Sequence, residues 1–202
     1  MNFTACVAGM PEDNSLWNSL MLMRYLFLLG LMDCISGQMV IRVTNRSKPF
    51  YLPRSGYRDW CRLALWKSSI SVLLLIGIVF LFSLWRSEDS VATMVIAVGV
   101  FALNIITLTS VQTLLLLNFS SGFGFVPLMF IQVLSLFVSY HLPGAWKLLL
   151  PGNWGMIMRS TLSVAEGYPL TAAIGMELLL LLFLWTEGWR LVRWHDRKDR
   201  KI

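Results

Sequence analysis

Histidine, cysteine and charge are scarce in this chain. Its 202 residues include 2 His, 3 Cys and only 14% Asp, Glu, Lys and Arg, whereas a soluble domain carries about 25% charged residues. Cys6, Cys34 and Cys61 form an odd, scattered set without a CxxC pair, which argues against both a disulfide framework and a zinc site. His141 and His195 have no Gly-x-Ser-x-Gly site, paired aspartates or second intramembrane glutamate to work with. No nucleophile with a base within reach is visible, so the chain is expected to be non-catalytic, with no catalytic, metal or cofactor-binding residues.

What is abundant is apolar sequence. Hydrophobic residues make up 56% of the chain and the mean hydropathy is +0.65, more apolar surface than a soluble domain of this size can hide. The runs Ile70 to Trp85, Val91 to Leu117, Phe125 to Tyr140 and Leu170 to Trp185 contain one Asp, Glu, Lys or Arg among them, Glu177. Positive charge is distributed unevenly: of 17 Lys and Arg, seven lie between Arg42 and Lys67 and six between Arg190 and Lys201. These features predict an all-α, polytopic transmembrane helical bundle with two basic segments.

A hydrocarbon core about 30 Å thick needs roughly 20 apolar residues in a helix. Five candidate spans follow: Leu16 to Val43, interrupted by Arg24 and Asp33, then about Lys67 to Trp85, Val91 to Leu117, Phe123 to Tyr140, and Tyr168 to Trp185. Trp66, Trp85, Tyr140, Tyr168 and Trp185 sit at predicted span ends, where aromatic rings anchor at headgroup level. Spans two to five separate the basic segments, an even number, so both segments face the cytoplasm under the positive-inside rule. Residues 1-15 lack a basic n-region and carry Glu12 and Asp13, so they are not expected to be a cleaved signal peptide. Residues 187-202 read as a basic cytoplasmic tail, with Trp189 and Trp194 at the lipid and basic side chains toward anionic headgroups. His195 within it reads as solvated.

Between spans four and five, residues 141-169 are long yet apolar, with Trp146, Trp154 and the breaker Pro151-Gly152. Neither half is long enough to cross, which predicts an extracytoplasmic, re-entrant hairpin of two short helices. In the segment 42-67, Pro49 and Pro53 predict an extended or turning stretch over Val43 to Pro53. From Ser55 to Lys67, apolar residues at helical spacing and Arg54, Arg58 and Arg62 at other positions predict an amphipathic helix on the inner face. Intramembrane polar groups are costly and face bundle interiors. Glu177 and Arg24 are therefore candidates for functional groups and for a mutual pair, with Glu177 suited to proton sensing or substrate contact. Asn104, Gln112 and Gln132 are expected to form helix-to-helix hydrogen bonds, and Gly77, Gly99 and Gly175 to permit close packing.

The stretch Tyr51-Leu-Pro-Arg-Ser-Gly-Tyr-Arg-Asp-Trp60, followed by Cys61-Arg62 and a long apolar span, resembles the cytoplasmic connecting element of small bacterial ABC-transporter permeases. These are the type-2 exporters with an ABCG-like arrangement, including those encoded with bacteriocin or lantibiotic systems. Leu150-Pro-Gly-Asn-Trp-Gly-Met-Ile-Met-Arg-Ser160 is similar to their extracytoplasmic hairpin. The resemblance runs from about Val40 to Ile202. It implies a single permease domain over 1-202 with five to six spans, the first to fifth matching the family's second to sixth. It also implies a second permease subunit, identical or homologous, and a separate ABC ATPase dimer that binds ATP and Mg. No GxxxxGK[ST] motif occurs, so the nucleotide belongs to that partner chain.

The resemblance further implies that Arg54, Arg58, Trp60, Arg62 and Trp66 carry the ATPase coupling contact, Trp60 by packing and the arginines by pairing with acidic groups. Trp146, Pro151, Trp154 and Arg159 fall on the hairpin. The expected function is to form the path for an amphipathic peptide or lipid-like substrate in a cell membrane, contacting lipid and no nucleic acid. The competing expectation is a stand-alone membrane interaction or immunity protein that transports nothing.

Overall fold

The structure is a computed structural model that describes residues 19–199 apart from 55, 87–90, 120, 140, 164 and 166. The N-terminal segment 1-15 lies outside the described residues. Five α-helices carry the fold: α1 Ser19–Arg54, α2 Gly56–Arg86, α3 Val91–Asn118, α4 Ser121–Ser139 and α5 Leu170–Asp199. Three short 3-10 turns, Gly144–Leu149, Pro151–Asn153 and Ile157–Arg159, fill the connection before α5. Among the described residues there is no strand, only an isolated bridge between Ser160 and Tyr168.

Four helices are long and apolar enough to cross a membrane, over Met23–Val43, Gly56–Leu81, Val91–Asn118 and Leu170–Val192, while Gly124–Ser139 is a shorter apolar helix. A helix is the form these runs must take, because a backbone in lipid has only itself to bond with. Five of their hydroxyls follow the same rule, while those of Ser69 and Thr109 are buried without a bond. Thr107, Ser110, Thr113, Ser135 and Thr186 each donate to the carbonyl four residues earlier, so they add no unsatisfied polar group.

The helix ends are set locally. Gly56 has φ 77, a left-handed conformation that glycine adopts without steric cost, and it separates α1 from α2. Asn118 donates its side-chain amide to the Leu114 carbonyl at 2.8 Å and closes α3. Pro169 begins α5 by offering its carbonyl to the amides of Ala172 and Ala173 at 3.1 and 3.2 Å, a position where a proline's missing N–H costs nothing.

One sequence expectation is corrected here. Val43 to Pro53 is helical, the last part of the 36-residue α1; Pro49 and Pro53 each remove one backbone bond and crowd the carbonyl four residues earlier, and the helix continues through both. The helix expected over Ser55 to Lys67 is present from Gly56 and runs without a break into the second span. It forms the first part of the continuous 31-residue α2, which buries Trp60, Cys61, Ala64 and Leu65 in the bundle and leaves Trp66 exposed.

Helix α3 is central, packing against α1, α2, α4 and α5. Half of its membrane-length window is buried, against 22% for α5. One apolar cluster unites Tyr25, Leu29, Val72, Phe101, Ile105 and Met156, with Tyr25 edge-to-face on Phe101 at 6.2 Å. A second joins Trp60, Cys61, Leu65, Leu114, Leu184 and Val192. That cluster brings the start of α2 against the end of α5, so the two basic segments leave the same end of the bundle. The third cluster, Val100, Trp154, Tyr168, Leu170 and Ala173, closes the other end.

Candidate functional site

The most polar part of the interior is built by residues 141-169 folding onto α3, α4 and α5. The expectation of two short helices gives way to 3-10 turns, since Pro143 and Pro151 stop longer helices from forming. Gly152 sits so close to α4 that a Cβ there would lie 2.7 Å from Ser135 Cβ and 3.0 Å from Gln132 Cα. Its amide donates to Ser135 Oγ at 3.3 Å. Gly155 makes an equally close approach to Asn104 on α3.

This approach places a backbone carbonyl beside the intramembrane carboxyl. Asn104 Nδ2 donates to Glu177 Oε1 at 2.7 Å and to the Pro151 carbonyl at 3.3 Å. One amide thus ties α3, α5 and the connecting segment together. Glu177 is fully buried, and its Oε2 has no hydrogen-bond partner. The expected partner Arg24 forms no ion pair with it; Asn104 from the adjacent helix takes that place.

Two bases of the segment are buried, Lys147 and Arg159. Arg159 is 5% exposed, and its Nη1 donates to Ser139 Oγ, to Asn153 Oδ1 at 3.2 Å and to the Leu136 carbonyl at 3.4 Å. The guanidinium thereby pins the end of α4 to the segment after it. Tyr168 completes the structure. Its one hydroxyl hydrogen faces the carbonyls of Asn153, Met156 and Trp154 at 2.8, 2.9 and 3.2 Å. Burial pushes the Tyr168 phenol above its ordinary value, Tyr25 and Glu177 adding to the rise and Arg159 opposing it. The hydroxyl therefore stays protonated and acts as a donor at neutral pH.

Of the residues expected on the hairpin, Pro151, Trp154 and Arg159 converge here, with Trp154 Nε1 donating to the Leu148 carbonyl at 2.8 Å. Trp146 does not, being 62% exposed. Among the helix-to-helix amides, Asn104 joins α3 to α5 and Gln112 joins α3 to α1. Gln112 Nε2 donates to the Asp33 carbonyl at 3.0 Å, and its Oε1 accepts from Ser36 at 2.5 Å. Gln132 fails the expectation, since it is buried with neither amide atom bonded. Tyr168 was read only as an interface anchor, and Asp33 only as an interruption. Asn153 was not singled out. For Tyr168 and Asp33 the missing information is a contact more than ten residues away, and for Asn153 it is the turn that sets Lys147 and Arg159, six residues to either side, on its amide.

At the basic end the expected coupling residues separate. Trp60 is 1% exposed and packs edge-to-face on Tyr57 at 6.3 Å, so its ring is a core residue of this chain and does not protrude to meet a partner. Arg58 and Arg62 are exposed. Trp66 is 57% exposed and meets Trp185 edge-to-face at 6.2 Å. The side chain of Arg54 lies outside the described residues. Trp189, expected at the lipid, packs instead against the cluster around Trp60, with Arg190 over its ring at 5.6 Å.

Among the described residues no three His, Cys, Asp or Glu gather as a metal would require. Compared with known proteins, the chain matches no family model, no curated protein and no solved structure.

Proposed function

We propose that the chain is the membrane-spanning permease subunit of an ATP-driven exporter in a cell membrane, moving an amphipathic peptide or lipid-like substrate. The observation that supports this most is the polar interior joined to a basic end. Asn104, Glu177 and Arg159 form a polar centre held by the segment 141-169, while Arg58 and Arg62 stay exposed where both basic segments emerge. In this reading the 19-residue α4, rising about 28 Å, is a fifth crossing. The segment 141-169 is then a re-entrant gate on the outer side, and the basic end is cytoplasmic. A separate ATPase dimer holding ATP and Mg docks on Arg58 and Arg62, and a second permease subunit, identical or homologous, completes the path. Copurification tests it: the chain should bring down a stoichiometric ATPase, and Arg58→Glu with Arg62→Glu should lose it. Recovery of the chain with no ATPase overturns the proposal.

Burial of Trp60 favours a second reading, a stand-alone membrane interaction or immunity protein. An interface hot spot is commonly a Trp, and this one is fully occupied by Leu65, Leu114 and Leu184. That reading expects no ATPase and no change in partner binding from the arginine substitutions.

A further inference from the structure

Helices α2 and α5 run in opposite directions, yet their outward-facing side chains change chemistry in the same order. On α2, Arg58, Arg62 and Trp66 lie four residues apart on one exposed stripe, which continues into the span as Ile70 and Leu73. On α5 the order read back from the basic end is the exposed Arg190, the half-buried Trp185, and then the exposed Leu182 and Leu178. The indoles of Trp66 and Trp185 meet edge-to-face at 6.2 Å. The two helices are therefore in register, with a cation, an indole and aliphatic side chains at matching levels on each.

A phospholipid presents the complementary order, from phosphate through glycerol to acyl chain. Four residues of helix rise about 6 Å, which sets Arg62 and Arg190 about one turn outside the indole pair. With the indoles anchored at the membrane interface, that is the level of the phosphates. Arg190 is held there, its Nε meeting Glu187 Oε2 at 2.8 Å and its guanidinium lying 5.6 Å from the centre of the Trp189 ring. Over residues 56–67 and 185–192, the bases Arg58, Arg62, Lys67 and Arg190 outnumber the acids Asp59 and Glu187. That excess favours an anionic over a zwitterionic headgroup. We propose that the seam between α2 and α5 holds one anionic phospholipid, its phosphate between Arg62 and Arg190 and an acyl chain along Leu73 and Leu182. The site needs no ATPase, and a stand-alone membrane protein would carry it equally.

Native mass spectrometry of the full chain tests the proposal, with the protein in nonionic detergent and given equimolar phosphatidylglycerol and phosphatidylcholine of the same acyl chains. The expected result is one retained lipid per chain, with phosphatidylglycerol preferred at least about tenfold. Arg62→Gln should lower that ratio at least about threefold, and adding Arg190→Gln should bring it near one. Lys67→Gln removes the same charge as Arg62→Gln, but from a side chain about 100° round the helix from Trp66, and should leave the ratio unchanged. Cys61 left unreactive toward maleimide reports that each variant is folded. Equal retention of the two lipids by the wild type, or a preference that the double substitution leaves intact, overturns the proposal. A fall in Lys67→Gln equal to that in Arg62→Gln also overturns it, since the preference would then follow net charge and not the seam.

Discussion

Buried polar side chains in this interior divide into those fixed by a partner and those left with a free atom, and substitutions should sort the same way. Glu177→Gln preserves the acceptor that Asn104 uses and is expected to change stability by less than about 0.5 kcal/mol. Glu177→Ala should cost about 1–2 kcal/mol, because it strips that amide of its shorter bond; reversible unfolding in mixed micelles measures both. Tyr168→Phe removes the hydrogen shared by three carbonyls and should cost about 1–3 kcal/mol. Hydrogen exchange should then rise at Gly152 to Arg159 and stay unchanged in α2. Glu177 was legible in the sequence because a lone carboxylate in an apolar run is conspicuous. Its partner was not, since nothing local distinguishes Asn104 at 73 residues' remove from Arg24.

The helical runs were legible from composition alone, because lipid tolerates no other backbone form there. Where the helices met was harder to read. Gly77, Gly99 and Gly175 were expected at close contacts, but a Cβ at any of them would meet nothing within 4 Å. The close approaches are at Gly30, Gly124, Gly152, Gly155, Gly167 and Gly188, set by which element faces which, a property of the folded bundle. Ala at Gly77, Gly99 or Gly175 should therefore be neutral or stabilising by up to about 1 kcal/mol. Gly152→Ala should destabilise by about 1–3 kcal/mol, because Ser135 Cβ and the Gln132 backbone cannot withdraw far. Thermal melts of the purified variants separate the two groups. The prolines misled for a related reason: they limit backbone bonding residue by residue, whereas the run of α1 through Pro49 and Pro53 is decided by the whole helix.

Across the whole molecule, the charge spacing led to the expectation that both basic segments share one end, and the cluster of Trp60 with Val192 brings the start of α2 and the end of α5 together. Thiol accessibility checks the packing. Cys34 is exposed at the middle of a candidate span and Cys61 is buried, so in detergent a maleimide should alkylate Cys34 in the folded chain, slowly, and Cys61 only after denaturation. Orientation needs a surface site, and Arg58→Cys provides one: an impermeant maleimide should label it only after cells are opened if the basic end is cytoplasmic. The 36, 31 and 30 residues of α1, α2 and α5 rise about 54, 46 and 45 Å, well beyond a hydrocarbon core. Because α2 runs without a break from Gly56 to Arg86, its arginine-bearing tip and the opposite leaflet are two points on one stiff rod. A displacement of Arg58 and Arg62 would be carried along all 31 residues of α2 with no loop to absorb it.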